Sequence, residues 1–154
     1  MKSLEERLSE RKAIYDKLVQ AELWADEAAG LLGEIVPLAK VDVSVYESGA
    51  YFYINAESIE EAELDFIPSM SEKFGLKWRK DVSSSYAYPR TLVITYHVHL
   101  YGYKPNFYLC FMVTPTIEDS CIMQKIPTGR TIMRQKYVEV EEPEYEYAMH
   151  CPGE

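Results

Sequence analysis

The chain is most informative first in what it has little of. It has no run of about eighteen apolar residues, so no stretch reads as a membrane-spanning helix. Its opening residues, MKSLEERLSERK, are charged and do not read as a signal peptide, which leads to the expectation of a cytoplasmic protein. Cysteines number three, at wide spacing (Cys110, Cys121, Cys151), too few and too scattered for a disulfide framework and in keeping with a reducing compartment. Positive charge is scarce: 16 Lys and Arg stand against 25 Asp and Glu, for a net charge of -9. That balance disfavours binding to nucleic-acid phosphates, which calls for a basic surface, and favours basic partners. Catalytic signatures are lacking too. There is no G-x-S-x-G, no C-G-x-C, no carboxylate pair at a recognisable spacing and no glycine-rich phosphate loop. We therefore assign no catalytic residues and no cofactor.

What is present is tyrosine, thirteen of them in 154 residues, and a strongly patterned chain. Tyrosine suits pleated faces and is enriched where proteins touch one another. The pattern predicts an α+β fold: a long N-terminal helix, then a mostly antiparallel sheet with one inserted helix, in a single domain. The helix is expected over 1–33, the α+β core over 41–151.

Ser3-Leu4-Glu5-Glu6 is a capping box that starts the first helix. Gly30 and Gly33 offer a left-handed cap at its end. Ile14, Leu18, Ala21, Ala25, Ala28 and Leu32 recur at spacings of four and three and form an apolar stripe, which Leu4 and Leu8 extend loosely. Such a helix either packs along the sheet or projects its first half and pairs with a second copy.

Val41 to Tyr46 and Ala50 to Ala56 alternate as a hairpin around Glu47-Ser48-Gly49. A second capping box, Ser58-Ile59-Glu60-Glu61, opens a helix that Pro68 must kink or restart and that Gly75 ends. Leu76 to Val82 reads as a strand, and Ser83 to Arg90 as a loop. Cys121 to Ile126 and Thr131 to Val140 read as a pair of strands turning at Pro127-Thr128-Gly129-Arg130, with a further strand after Pro143.

The most continuous apolar face belongs to Thr91–Thr114, TLVITYHVHLYGYKPNFYLCFMVT. Leu92, Ile94, Tyr96, Val98 and Leu100 alternate with His97, His99 and Tyr101, so a hairpin here has a greasy face and a polar one. Burial sets its register: with Phe107, Leu109, Phe111 and Val113 on the greasy side, His99 faces Cys110, His97 faces Met112 and Tyr101 faces Tyr108.

Three constellations follow. His97, His99 and Cys110 share a face at a spacing that suits a shared metal, although no acid lies near in sequence to orient the imidazoles. Arg79, Lys80, Tyr86, Tyr88 and Arg90 offer charge-assisted hydrogen bonds and stacking to a small anionic molecule. Cys121 and Cys151 bracket the last strands and would approach one another if those strands fold back, as buried thiols or as a disulfide. The acidic run at Glu139, Glu141, Glu142, Glu144, Glu146 and Glu154 guards a solvated edge or meets a basic protein patch.

From Ser58 to Glu154 the layout resembles small uncharacterised tailed-phage proteins. The residues that carry the likeness are S-I-E-E-A at Ser58, F-G-L at Phe74, C-x-x-x-K-I-P-T-G-R from Cys121, and V-E-E-P-E-Y-E-Y-x-x-x-C-P from Val140. The resemblance covers about the last two-thirds of the chain. It implies a phage origin and no particular reaction; by analogy, small acidic phage proteins bind a host protein, for example to block a defence system. The first functional expectation is therefore a non-enzymatic accessory or anti-defence inhibitor that binds a host protein in the host cytoplasm. A small-molecule or nucleotide-signal binder using the basic segment stands second, and a metal-dependent enzyme at His97 and His99 third. Homo-oligomers through the N-terminal helix are compatible with each.

Overall fold

The computed structural model describes residues 1–85, 91–117, 122–135 and 139–150. The fold is α+β: a long N-terminal helix, a mixed five-stranded sheet with an inserted helical segment, and a separate two-stranded sheet. By its contacts the chain divides into two compact units, Met1–Val82 with Ile94–Thr116, and Ser83–Val93 with Ile117–Glu154.

Helix α1 runs Leu4–Leu32. Its start is the capping box read from the sequence: the Glu6 amide donates to Ser3 Oγ at 3.1 Å, and the Ser3 amide to Glu6 Oε2 at 2.7 Å. Its end differs from the expected left-handed cap. Gly33 stays right-handed at φ -61, its amide donating to the Ala29 carbonyl at 2.8 Å, and the chain closes with one more turn onto the Leu32 carbonyl. Only Ala21, Ala25, Ala28 and Leu32 are buried, so the last three turns hold the helix to the sheet while residues 4–20 are exposed. Trp24 meets Phe107 edge to face at 5.2 Å, and Glu27 reaches Lys104 at 3.4 Å.

Strands β1 (Val41–Tyr46) and β2 (Gly49–Ala56) form the predicted antiparallel hairpin. A helical run follows. Its first part, Glu61–Phe66, is π-helical, and α2 spans Ile67–Phe74. Pro68 explains the change of winding. It has no amide proton for the Leu64 carbonyl and its ring would strike that carbonyl, so the turn ahead of it widens and Ile67 donates to Ala62 instead. Gly75, left-handed at φ 66, caps α2 as expected.

Strands β3 (Arg79–Ser85), β4 (Thr91–Lys104) and β5 (Phe107–Pro115) complete a sheet of order β1-β2-β5-β4-β3. The β4–β5 register is the one burial demands: His97 pairs with Met112, His99 with Cys110, and Leu100 with Leu109. The ladder is interrupted between Leu100 and Lys104, where Gly102 takes φ 76, and Asn106 makes the turn at φ 58. At the centre β2 and β5 are parallel, with Gly49 opposite Tyr108 and Phe52 opposite Phe111. This makes the sheet mixed, with antiparallel pairs on either side of one parallel pair.

In the first unit both helical segments cover the same face of the sheet. Phe52, Ile54, Tyr96, Val98, Leu109, Phe111 and Val113 are buried there. Phe111 is the hub: its ring lies 5.4 Å from Phe52 and 5.3 Å from Phe74 of α2. Tyr96, at the edge of this layer, donates its hydroxyl to Glu63 of the π turn. That bond holds the Glu63 carboxyl below its ordinary range, and burial together with Glu63 raises the Tyr96 hydroxyl.

In the second unit the two-stranded sheet pairs β6 (Ile122–Gln135) with β7 (Glu139–His150), antiparallel. The segment Pro127-Thr128-Gly129-Arg130, expected to turn the chain, lies inside β6. The strand bulges there, with Gly129 at φ 81, and continues. Arg130 bridges to Glu144 across the bulge at 3.0 Å, and Thr131 Oγ1 donates to Glu141 at 2.8 Å. Ile122 is registered with His150. Cys121 and Cys151 lie outside the described residues.

Candidate functional site

Alternation along each strand sends to the second face of the sheet the residues that the core does not take. In the first unit no helix covers this face among the described residues. It carries Tyr46 on β1, Tyr51 and Tyr53 on β2, Tyr108, Cys110 and Met112 on β5, and His97, His99 and Tyr101 on β4.

These rings form a connected rank across four strands. Tyr46 meets Tyr51 at 5.7 Å and Tyr51 meets Tyr108 at 5.6 Å, both edge to face. Tyr108 lies 5.9 Å from Tyr101 and 6.4 Å from His99, His99 stacks on Tyr101 at 5.8 Å, and His97 lies 6.2 Å from His99. The fifth strand joins through Asp81 of β3, whose Oδ2 is 3.1 Å from His97 Nδ1.

At the middle of the rank the Tyr108 hydroxyl donates to the Tyr51 hydroxyl oxygen at 2.6 Å. This bond, with some burial, pushes the Tyr108 pKa up to about 12. The ring of Tyr108 lies over Gly49. A Cβ there would come 2.6 Å from its Cδ1 and Cε1, so the backbone of β2 serves as the floor of the rank only because residue 49 has no side chain. Beyond Tyr101 and Tyr108 the rank ends in a shallow hollow of about 310 Å³, lined also by Ser48, Gly102 and Asn106.

The structure brings His97, His99 and Cys110 onto this one face, with His99 Nε2 4.0 Å from Cys110 Sγ. The orienting acid missing from the local sequence comes from another strand, as Asp81. No three His, Cys, Asp or Glu side chains among the described residues gather closely enough to hold a metal ion. Cys110 is 2% exposed, and burial raises its thiol pKa, which keeps it from the thiolate form that metals and electrophiles require.

The basic constellation is divided. Arg79 and Lys80 are neighbours on a strand and so point to opposite faces. Arg79 pairs with Asp81 at 3.2 Å on the rank's side. Lys80 pairs with Glu63 at 3.3 Å and sits 5.5 Å above the Tyr96 ring on the helix side. Tyr86, Tyr88 and Arg90 lie outside the described residues.

The fold and this face together define an α+β protein with an aromatic sheet face that no helix of the described residues covers. No helix of the described residues is long and apolar enough to cross a membrane. No protein-family profile, curated protein or solved structure matches the chain.

Proposed function

We propose that this chain is a non-enzymatic binding protein that takes hold of another protein through the open face of its five-stranded sheet. The observation that carries this reading is the rank of rings from Tyr46 to His97. Tyrosine and histidine rings held by one another lose little further freedom on binding, and they present apolar area with a polar rim. Tyr46 at one end of the rank and Tyr101 on β4 are both well exposed. Acids lie near the Tyr46 end, Asp42 and Glu47, in a chain of net charge -9. A protein surface bearing arginine or lysine suits such a face, through ring–cation contacts and long-range attraction. The resemblance to tailed-phage proteins points the same way, to an accessory or anti-defence inhibitor acting on a host protein in the host cytoplasm. Arg79 and Lys80 are each spent on a local acid, on opposite faces, which gives a small anionic ligand less support.

Affinity capture from host lysate tests this, with wild type beside a Tyr46→Ser/Tyr101→Ser variant. Both tyrosines are exposed, so the variant keeps its fold. A protein retained by wild type and lost from the variant is the expected result. Repeated failure to retain any protein, or equal retention by both, would overturn the assignment.

A further inference from the structure

A second feature is independent of the aromatic rank. Residues 4–20 of α1 extend for about 25 Å at the helical rise of about 1.5 Å per residue, with no described residue burying them. Large apolar side chains lie bare along this half: Leu4 at 63% exposure, Leu8, Ile14, Tyr15 at 66%, Leu18 and Val19. They are not scattered. Leu4, Leu8, Arg11, Tyr15 and Leu18 follow at spacings of four, three, four and three, the seam of a left-handed coiled coil, and Ile14 and Val19 occupy its two flanks. Through Leu18 this seam runs on into the Ala21-Ala25-Ala28-Leu32 stripe that docks on the sheet, so one helix carries an exposed apolar half followed by a docked one.

Charge decides what can cover the exposed one. Over residues 1–20, Lys2, Arg7, Arg11, Lys12 and Lys17 nearly balance Glu5, Glu6, Glu10 and Asp16. The acidic surplus of the molecule therefore resides elsewhere, and this half of the helix can meet its own copy without strong like-charge repulsion. Direction follows from the one polar seam residue. A parallel pair would set Arg11 against Arg11 and Arg7 against Lys12. An antiparallel pair centred near Ala13 sets Leu8 against the partner's Leu18, lays Arg11 over the partner's Tyr15 ring, and brings the two Ile14 side chains together on one flank of the axis, leaving the two Lys12 side chains as the one like-charge pair on the other.

We propose that two copies of this chain associate through an antiparallel helix pair formed by residues 4–20. The association is modest and concentration-dependent, and is tested across the micromolar range.

Sedimentation equilibrium from about 1 to about 300 µM full-length protein spans that range. Wild type should pass from monomer to dimer, and Leu8→Glu or Leu18→Glu should raise the dissociation constant at least about tenfold. Both positions are exposed, so neither variant threatens the fold. Oxidative crosslinking then reads direction against a wild-type control for the native cysteines. Ile14→Cys should give a disulfide-linked dimer and Leu18→Cys should not. A wild type that stays monomeric throughout, as it would if another protein covers this face, overturns the proposal, and so does crosslinking through Leu18→Cys in place of Ile14→Cys.

Discussion

Gly49→Ala puts the construction of the aromatic face to a direct test. The glycine is buried and is not in the left-handed region, so its backbone accepts alanine. Its obstacle is the Tyr108 ring, two of whose atoms would lie 2.6 Å from the new methyl. The ring cannot simply swing aside, because its hydroxyl is bonded to Tyr51 and its edges rest near Tyr101 and His99. Forcing a methyl into a packed site costs about 1–3 kcal/mol. Loss of the Tyr108–Tyr51 hydrogen bond adds about 0.5–1.5 kcal/mol. The lower entropy of the unfolded alanine chain returns about 0.4–1 kcal/mol. A net destabilisation of about 0.5–4 kcal/mol is expected, measured by urea unfolding at unchanged m value. The decisive comparison is a cycle with Tyr108→Ala. Without the ring the three atoms nearest the methyl are gone, and Gly49→Ala should become neutral or slightly stabilising, a coupling at least as large as the cost with the ring in place. Equal cost in both backgrounds, or a cost under about 0.5 kcal/mol with Tyr108 in place, would show that the ring does not rest on the glycine.

Phe111→Ala removes the hub between Phe52 and Phe74 and should cost about 3–5 kcal/mol in urea unfolding, a large part of the stability of a domain this size. Tyr51→Phe deletes the hydroxyl that accepts from Tyr108, and in alkaline absorbance titration the Tyr108 pKa should fall from about 12 toward its ordinary value. A tyrosine whose folded pKa is raised lends stability below the unfolded pKa near 10, so wild type should lose stability between about pH 10 and 12 and Tyr51→Phe should lose less of it. Ser3→Ala removes the side-chain half of the capping box, at about 1 kcal/mol, and leaves the residue-3 amide free to donate to Glu6. Because this end of α1 is held by no packing, amide exchange over the first two turns should accelerate by roughly fivefold while the urea midpoint of the sheet holds.

The sequence made some of this legible and withheld the rest for physical reasons. The β4–β5 register could be read because a one-residue slip would have buried the histidines and exposed Phe107 and Phe111. The capping box at Ser3 and the cap at Gly75 are local chemistry and sit where the residues demand. The parallel β2–β5 pair was not readable. Ala50, Phe52 and Ile54 alternate with Tyr51 and Tyr53 in the way an antiparallel strand does, and nothing within β2 names a neighbour so distant in sequence. The aromatic rank was hidden for the same reason. Each tyrosine could be assigned to the polar side of its own strand, but the contact of Tyr51 with Tyr108 exists only through the parallel pair, and that of His97 with Asp81 only through the placing of β3 beside β4. Within β6, Pro127 and Gly129 looked like a reversal because proline and glycine punctuate turns. A bulge uses the same residues, and the chain passes straight on.

The parallel pair also governs how the molecule is assembled in time. Gly49 finds its partner in Tyr108 and Ala56 in Pro115, so the central ladder closes only after the whole intervening stretch has been made and threaded across. Contacts of such range carry a loop-closure cost before any reward and place this fold among the slower ones. During synthesis from the N-terminus, α1 and the β1–β2 hairpin emerge long before β5, the strand that pairs with β2. When β5 docks, it inserts Phe111 beneath the helices and lays Tyr108 beside Tyr51 on the other side in a single event. The junction of Tyr51 with Tyr108, at the middle of the aromatic face, is thus made by the same pairing that seats Phe111 in the core.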